Sequence, residues 1–208
     1  VPARWTYGAE GAAYPVRPGQ TWECGRHVFT CSSLFRVPGL GAATVIYADP
    51  PWNQGNLASF RTKAGLKSDS HDWLDVYRRI AEIAGQRPVF LEGGCRQAAA
   101  VQAVLSGPQV RQWPISYYRY HPAVLHYAGP DLNGLDPSGL DDDDVPGYIL
   151  TRLPAGIVGD PCAGRGVTSR AAEAAGWSSV NVELHPNRVS VALARMTKMT
   201  GHPVVLLS

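Results

Sequence analysis

The feature that most constrains the fold is an abrupt end to a β-rich run. Thr44 to Tyr47 leads straight into Ala48-Asp49-Pro50-Pro51-Trp52-Asn53. Neither proline has a backbone N–H, so no ladder continues beyond Asp49. The stop leaves the Asp49 carboxylate and the Asp49 and Pro50 carbonyls at a strand end without local donors, with an indole beside them. Acceptors grouped next to a flat aromatic surface suit an exocyclic amine on a flat base. Asp-Pro-Pro is equally ordinary turn chemistry, followed by a packing tryptophan. The motif acquires meaning only from its context.

A second strand meets a comparable stop. Ile157-Val158-Gly159-Asp160 runs into Pro161-Cys162-Ala163-Gly164-Arg165-Gly166-Val167-Thr168, and a helix follows from Ser169 to Ala175, closed by Gly176. Glycines there let a ligand approach the backbone beside a helix N-terminus. The next strand, Ser179 to Val182, ends in Glu183. An acid about 20 residues beyond the first strand end binds ribose hydroxyls in dinucleotide folds. His185-Pro186 opens a further helix with Val189, Ala192, Leu193 and Met196 on one face, and Val204 to Leu207 reads as a last strand. The fingerprint G-x-G-x-x-G is absent. A nucleoside-type ligand is therefore favoured over NAD, and a dinucleotide oxidoreductase is the weakest alternative.

Between and before these stops, strands and helices alternate. The pattern predicts an α/β fold with a doubly wound, mostly parallel sheet. A first strand covers His27 to Cys31, and Ser70 caps a helix through Ala84 with Trp73, Val76, Tyr77, Ile80, Ile83 and Ala84 on one face. Pro88 to Glu92 reads as a buried strand, Arg96 to Leu105 as a helix, and Pro146 to Leu153 as a short helix. Val110 to Tyr120 and Ala123 to Tyr127, separated by His121-Pro122, read as an antiparallel pair at the sheet edge. Residues 1–25, with Trp5, Tyr7, Tyr14 and Trp22, have no period and read as an irregular arm. Asn53 to Lys67 is polar, glycine-containing and basic. It reads as a mobile loop at the mouth of a site, with Arg61, Lys63 and Lys67 as candidates to meet phosphates. Residues 129–145 carry turn signals and the acids Asp141 to Asp144, and read as a flexible, solvated loop, because an acidic block repels a phosphate backbone.

The 208 residues suffice for one domain with a real core. A net charge of +2 permits a nucleic-acid partner without arguing for one. Cys24, His27 and Cys31 form at most half a zinc site, with no fourth ligand at sensible spacing. The cysteines therefore read as buried free thiols, no metal is expected, and the lack of a disulfide framework fits a reducing compartment. No apolar run approaches the roughly 20 residues of a membrane helix. Val1 to Gln20 lacks an apolar core and is broken by Pro2, Pro15 and Pro18, unlike a signal peptide. The expectation is a soluble, cytoplasmic protein.

Together the two stretches resemble the amino-methyltransferases that use S-adenosyl-L-methionine to methylate exocyclic amines of nucleic-acid bases. That family carries Asp-Pro-Pro-aromatic at a strand end, Asp-Pro-Phe-x-Gly-Ser-Gly-Thr-Thr at the cofactor, and an acid-Leu-Asp-Pro-like segment opening a helix. The counterparts are Asp49 to Trp52, Asp160 to Thr168, and Glu183-Leu184-His185-Pro186. The resemblance implies a Rossmann-like methyltransferase sheet with the circularly permuted motif order of the group often called beta, since the catalytic motif comes first. It implies catalytic roles for Asp49, Pro50, Pro51 and Trp52, and cofactor contacts from Asp160, Cys162, Ala163, Gly164, Gly166, Thr168 and Glu183. Asn53, Arg61 and Lys63 are the candidate substrate-binding residues on the segment that follows.

Asp at the first catalytic position resembles adenine-N6 rather than cytosine-N4 enzymes. Trp at the fourth resembles the RNA N6-adenosine branch and its DNA-acting relatives. The implied activity is methyl transfer to adenine N6 in DNA. RNA N6-adenosine and DNA N4-cytosine transfer are the alternatives, with a non-catalytic subunit opposed by the intact Asp49–Trp52 stretch and Gly164/Gly166 turn. The chain departs from the family at Cys162 for Phe, Arg165 for Ser, Val167 for one Thr, and Thr30-Cys31 where Gly-Asp is common. No target-recognition domain fits between residues 129 and 145. This leaves weak specificity, a homodimer, a specificity partner, or action on RNA or single strands.

Overall fold

A computed structural model describes residues 13–66, 70–105 and 110–208; Trp5, Tyr7 and Lys67 lie outside these. In chain order the strands are β1 (Thr21–Cys24), β2 (His27–Cys31), β3 (Val45–Ala48), β4 (Val89–Gly94), β5 (Arg111–Tyr117), β6 (His121–Ala128), β7 (Ile157–Asp160), β8 (Ser178–Glu183) and β9 (Val204–Leu206). The helices are α1 (Gln54–Lys63), α2 (Trp73–Ala84), α3 (Ala98–Val104), α4 (Val145–Leu150), α5 (Val167–Ala174) and α6 (Pro186–Thr200).

Among the described residues the strands form one sheet in the order β5-β6-β4-β3-β7-β8-β2-β1-β9. The five central strands, β4 to β2, are parallel. An antiparallel hairpin flanks them on one edge, β6/β5, and the antiparallel strands β1 and β9 extend the other.

Parallel strands must be covered on both faces, and β3 shows how the sequence arranges this. Val45, Ile46, Tyr47 and Ala48 are all buried. Ile46 and Ala48 join Leu57, Val76, Tyr77, Ile80 and Val101 beneath α1, α2 and α3. Val45 and Tyr47 join Phe90, Leu125, Ile149, Ala172 and Trp177 beneath α4 and α5. A third cluster seats α6 on β1 and β2 through Trp22, Phe29, Val189, Leu193 and Met196. Each fully buried Leu, Ile or Phe contributes roughly 1.5–3 kcal/mol. Packing of this kind, more than intrinsic propensity, holds short helices such as α4 and α5.

The connections set the position of the site. β3 is paired with β4 on one side and β7 on the other, and β8 continues beyond β7. The segments that leave β3 and β7 therefore diverge. A crevice opens outside the carboxyl ends of these two strands, where doubly wound sheets bind ligands.

Several expectations are corrected. The arm contains β1, whose residues alternate between half-buried and buried, with Trp22 and Cys24 inward. Residues 54–63 are helix α1 rather than a loop: Asn53 caps it by accepting from the Asn56 N–H at 2.9 Å, and Leu57 and Arg61 turn inward one helical turn apart. Asp72, not Ser70, caps α2, and Asp75 completes a capping box with it. His121 and Pro122 lie within β6, and the turn falls at residues 118–120. The acidic segment is tied to the sheet, since Asp141 accepts from the Ser116 hydroxyl at 2.9 Å and Asp142 from the Tyr118 N–H at 3.1 Å. Cys24 and Cys31 are buried free thiols, and the His27 ring bonds Ser179 and Glu173. No helix among the described residues is long and apolar enough to cross a membrane.

Candidate active site

A cavity opens at this crevice. Tyr47, Asp49, Pro50 and Trp52 line it from β3 and the segment after it, Glu92 from β4, and Asp160, Cys162, Ala163, Gly164 and Thr168 from β7 and its loop. Tyr117, Tyr118 and Asp142 close one side, and Phe60 and Arg188 another. A second cavity adjoins it, sharing Asp49, Phe60, Cys162 and Arg188. It continues over Pro51, Pro161, Leu34, Phe35, Leu184 and Glu183.

Asp49 is not without donors, contrary to expectation. The Trp52 Nε1–H donates to its Oδ1 at 2.9 Å. That bond fixes both the carboxylate and the indole, and the indole also packs on the Tyr117 ring with centroids 4.6 Å apart. Gly94 makes room for it, because a Cβ there would lie 3.2 Å from the indole. Asp49 Oδ2 accepts no hydrogen bond among the described residues.

Burial pushes the Asp49 carboxyl up to about 7. Asp142 and Asp160 add to the shift, while the Trp52 N–H and Arg188 oppose it. Asp49 is itself exposed at the cavity wall, so solvent there screens part of this shift. Asp160, only 3% exposed, is likewise raised to about 7 by burial, against hydrogen bonds from the Thr168 hydroxyl and the Cys162 N–H. Asp142 is raised to about 6.

Glu92 lies beside Asp49 in the register: Ala48 pairs with Leu91, and the next residues along are Asp49 and Glu92. It is 2% exposed, and burial and Asp49 push its carboxyl well up. The Tyr47 hydroxyl donates to Glu92 Oε1, whereas the buried Oε2 has no partner among the described residues. Carboxyls thus line the cavity on several sides. Such a wall suits amine or cationic groups of a ligand and disfavours phosphate.

The glycine loop is built around Glu183. Its Oε2 accepts from the Gly164 N–H at 2.8 Å and its Oε1 from the His185 N–H at 2.7 Å, with Arg188 Nη1 at 3.8 Å. Gly166 opens α5 in the left-handed region, φ 76°, and a Cβ there would lie 3.1 Å from Ala192 Cβ. Both facts demand glycine. At Gly164, φ 53°, an added Cβ meets nothing nearer than 3.9 Å, so the loop leaves the backbone open to the cavity.

The structure therefore brings Asp49, Pro50, Trp52, Asp160, Cys162, Ala163, Gly164 and Thr168 around one cavity, and Asp49, Pro51, Cys162 and Glu183 around its neighbour. Gly166 lines neither and serves the packing of α5 on α6. Asn53 is the α1 cap and lines neither. Arg61 is 6% exposed, donates to the His71 carbonyl at 3.2 Å and lines the second cavity. Lys63 is exposed at the end of α1 and lines neither cavity, though its backbone bonds His185, which lines the second. A basic groove occurs elsewhere: it shares Asp143, Arg165 and Val167 with the first cavity and adds Arg170, Arg195 and Lys198.

Sequence reasoning missed Tyr47, Glu92, Tyr117, Asp142 and Arg188. Glu92 carried a signal, an acid at the end of a buried strand, which becomes decisive only once β4 is placed beside β3.

No family model and no curated protein sequence matches the chain. Solved structures do. M1.HpyAVI in complex with SAM superposes with a TM-score of 0.58 at 13% identity, covering 82% of this chain and 98% of that one. TTHA0409 of Thermus thermophilus, complexed with S-adenosyl-L-methionine, superposes with a TM-score of 0.52 at 15% identity over 79% and 90%. PvuII DNA methyltransferase, cytosine-N4-specific, gives a TM-score of 0.58 at 10% identity over 89% and 94%. At such identities the likeness establishes the fold, and that fold is the Rossmann-like one of DNA methyltransferases.

Proposed function

We propose that this chain is an S-adenosyl-L-methionine-dependent DNA methyltransferase whose target is the N6 amine of adenine. One observation carries the reading. The Asp49–Trp52 and Asp160–Thr168 stretches, far apart in sequence, leave adjacent parallel strands and line one cavity. The shared fold with PvuII DNA methyltransferase and with two proteins solved with the cofactor supports it. The order of the two stretches, catalytic first, fits the permuted group.

The residues present fit the cofactor. Leu34, Phe35 and Leu184 give the second cavity an apolar lining, and Glu183 gives it an acid. Each Glu183 oxygen accepts one backbone N–H and retains capacity for a ribose hydroxyl. A cationic centre between the two cavities would favour the ionised forms of Asp49 and Asp160, which burial disfavours. When bound, the cofactor supplies an electrophilic methyl group.

The chain's own residues would do the rest. Asp49 Oδ2 and the Pro50 carbonyl accept hydrogen bonds from the target amine. This favours a pyramidal nitrogen and stabilises its developing positive charge. Asp49 is a better proton acceptor than a free carboxylate because its pKa lies nearer to neutrality. Trp52 holds the carboxylate in place, and with Tyr117 it forms an aromatic wall for the base. If the base begins in a duplex, it must flip out, at a cost of a few kcal/mol. Arg165, Arg170, Arg195 and Lys198 form the groove suited to the strand's phosphates.

Cytosine N4 is the second reading, favoured by the likeness to the cytosine-N4-specific PvuII enzyme. Mass spectrometry of nucleosides from DNA and RNA incubated with the protein and cofactor separates the readings. N6-methyladenine in DNA is expected. N4-methylcytosine, or label confined to RNA, moves the assignment of the substrate, and no methylated nucleoside at all refutes the enzyme.

A further inference from the structure

The tip of the β5–β6 hairpin is built at a conformational cost that the core does not require. Tyr118 and Arg119 both adopt positive φ, 50° and 64°. Such turns normally use Asn or Gly. The tip is held in this shape from outside. The Tyr118 N–H donates to Asp142 Oδ1 at 3.1 Å, and the Arg119 N–H donates to Asp141 Oδ1 at 2.5 Å. The Ser116 hydroxyl donates to the same Asp141 oxygen at 2.9 Å, and the Tyr120 N–H closes the turn onto the Tyr117 carbonyl at 3.4 Å. The acidic segment is thus a buttress for the turn.

What the turn displays is aromatic. Tyr118 is 50% exposed and Tyr120 is 75% exposed, with Arg119 between them. Tyr118 rests one face on Tyr117, and Tyr120 is the more exposed of the two rings. A line of rings leads inward from this tip: Tyr118 to Tyr117 with centroids 4.2 Å apart, and Tyr117 to Trp52 at 4.6 Å. Trp52 in turn is bonded to Asp49. Tyr118 also lines the catalytic cavity. Exposed aromatic faces interleaved with a cation and continuous with a site for a flat base are a platform for unpaired bases, which stack on any π-face regardless of sequence.

We infer that Tyr118-Arg119-Tyr120 is a stacking surface for the unpaired nucleotides flanking the target base, so that the substrate engages as a single strand or a locally opened duplex. The inference rests on the methyltransferase reading above. It supplies a substrate contact in a chain with no room for a target-recognition domain between residues 129 and 145. The tip holds the neighbours of the target while the target itself enters the cavity.

The test uses a fluorescein-labelled single-stranded oligothymidylate holding one deoxyadenosine, followed by fluorescence anisotropy. Tyr120→Ala is expected to raise Kd about tenfold, the scale of one lost base–aromatic stack. Tyr120→Phe is expected to bind as the wild type does, because it keeps the ring. Abasic residues on both sides of the deoxyadenosine should weaken the wild type and abolish its advantage over Tyr120→Ala. Cofactor binding by calorimetry should be the same in all three proteins, which excludes misfolding. Equal affinities of Tyr120→Ala and wild type overturn the inference, as does a Tyr120→Ala loss that persists undiminished on the abasic strand. A wild type that methylates the oligonucleotide alongside such a result leaves the enzymatic reading standing. A wild type that binds the oligonucleotide but leaves its deoxyadenosine unmethylated overturns the adenine-N6 reading, and this inference with it.

Discussion

Replacing Glu183 with alanine removes the acceptor for two backbone donors, Gly164 N–H at 2.8 Å and His185 N–H at 2.7 Å. Hydrogen bonds to a charged acceptor contribute roughly 1.5–3 kcal/mol each. Their gross sum is therefore on the order of 3–6 kcal/mol. Two effects reduce it. Alanine leaves space for water to bridge the N–H groups. The wild-type carboxylate also bears the cost of its own burial, which raises its pKa against Arg188 and the backbone donors. A net loss of about 1–2 kcal/mol is expected, lowering Tm by roughly 2–8 °C in a chain of this size. The effect on ligand is separate. Losing charged hydrogen bonds to ribose hydroxyls costs on the order of 1.5–3 kcal/mol, or roughly 10- to 150-fold in Kd. Glu183→Gln, which keeps one acceptor, should fall between. Titration calorimetry with S-adenosyl-L-methionine, alongside thermal unfolding, reads both effects. An unchanged Kd in a folded Glu183→Ala protein would refute the assignment of the second cavity to the nucleoside.

Other outcomes follow from the same geometry. Asp49 must be ionised to accept the amine, and its carboxyl is raised to about 7 by burial, with Asp142, Asp160 and Arg188 facing it. kcat/KM should therefore rise with pH and level off above neutrality; a rate flat across the acid side of neutrality contradicts this. Trp52→Phe removes a donor that lowers that pKa, so the acid limb should move to higher pH, and an unmoved limb would dismiss the Trp52–Asp49 coupling. Gly166→Ala forces a Cβ into the left-handed region, about 1–2 kcal/mol, and against Ala192 Cβ at 3.1 Å. Its Tm should fall by several degrees, and an unchanged Tm would be inconsistent with the packing described. Glu92 is held protonated in the fold at pH values where the unfolded chain ionises it. Its contribution to stability is therefore lost as pH climbs above the unfolded carboxylate pKa. Glu92→Gln should flatten the decline of unfolding free energy between mildly acidic and alkaline buffer in urea titrations, and an unaltered slope would mean Glu92 is ionised in the folded protein.

Local chemistry made much of this fold readable. Pro50 and Pro51 end β3 whatever surrounds them, and the glycines after Asp160 mark a loop by their backbone freedom. What escaped depended on partners distant in sequence. β1 alternates buried and half-buried residues, but the prolines and glycines before it hide the period. α1 looks like a loop because it is polar on most of its surface, and only Leu57 and Arg61 turn inward. Asp141 and Asp142 read as solvated because nothing nearby in sequence announces the hairpin whose N–H groups they accept. Glu92 and Arg188 enter the site through the sheet order and the seating of α6, neither of which one segment encodes. Arg61 lines the second cavity from a helix that reads as a loop, and its bond to the His71 carbonyl is not visible in sequence.

The central claim is that Asp49 performs methyl transfer in a cavity completed by the Asp160–Thr168 loop. Transfer of labelled methyl from S-adenosyl-L-methionine to DNA by wild type and Asp49→Ala, with calorimetric cofactor binding on the same preparations, tests it most directly. The variant should bind cofactor and lose transfer by a factor on the order of 10²–10³ or more. Undiminished transfer by Asp49→Ala would contradict the account.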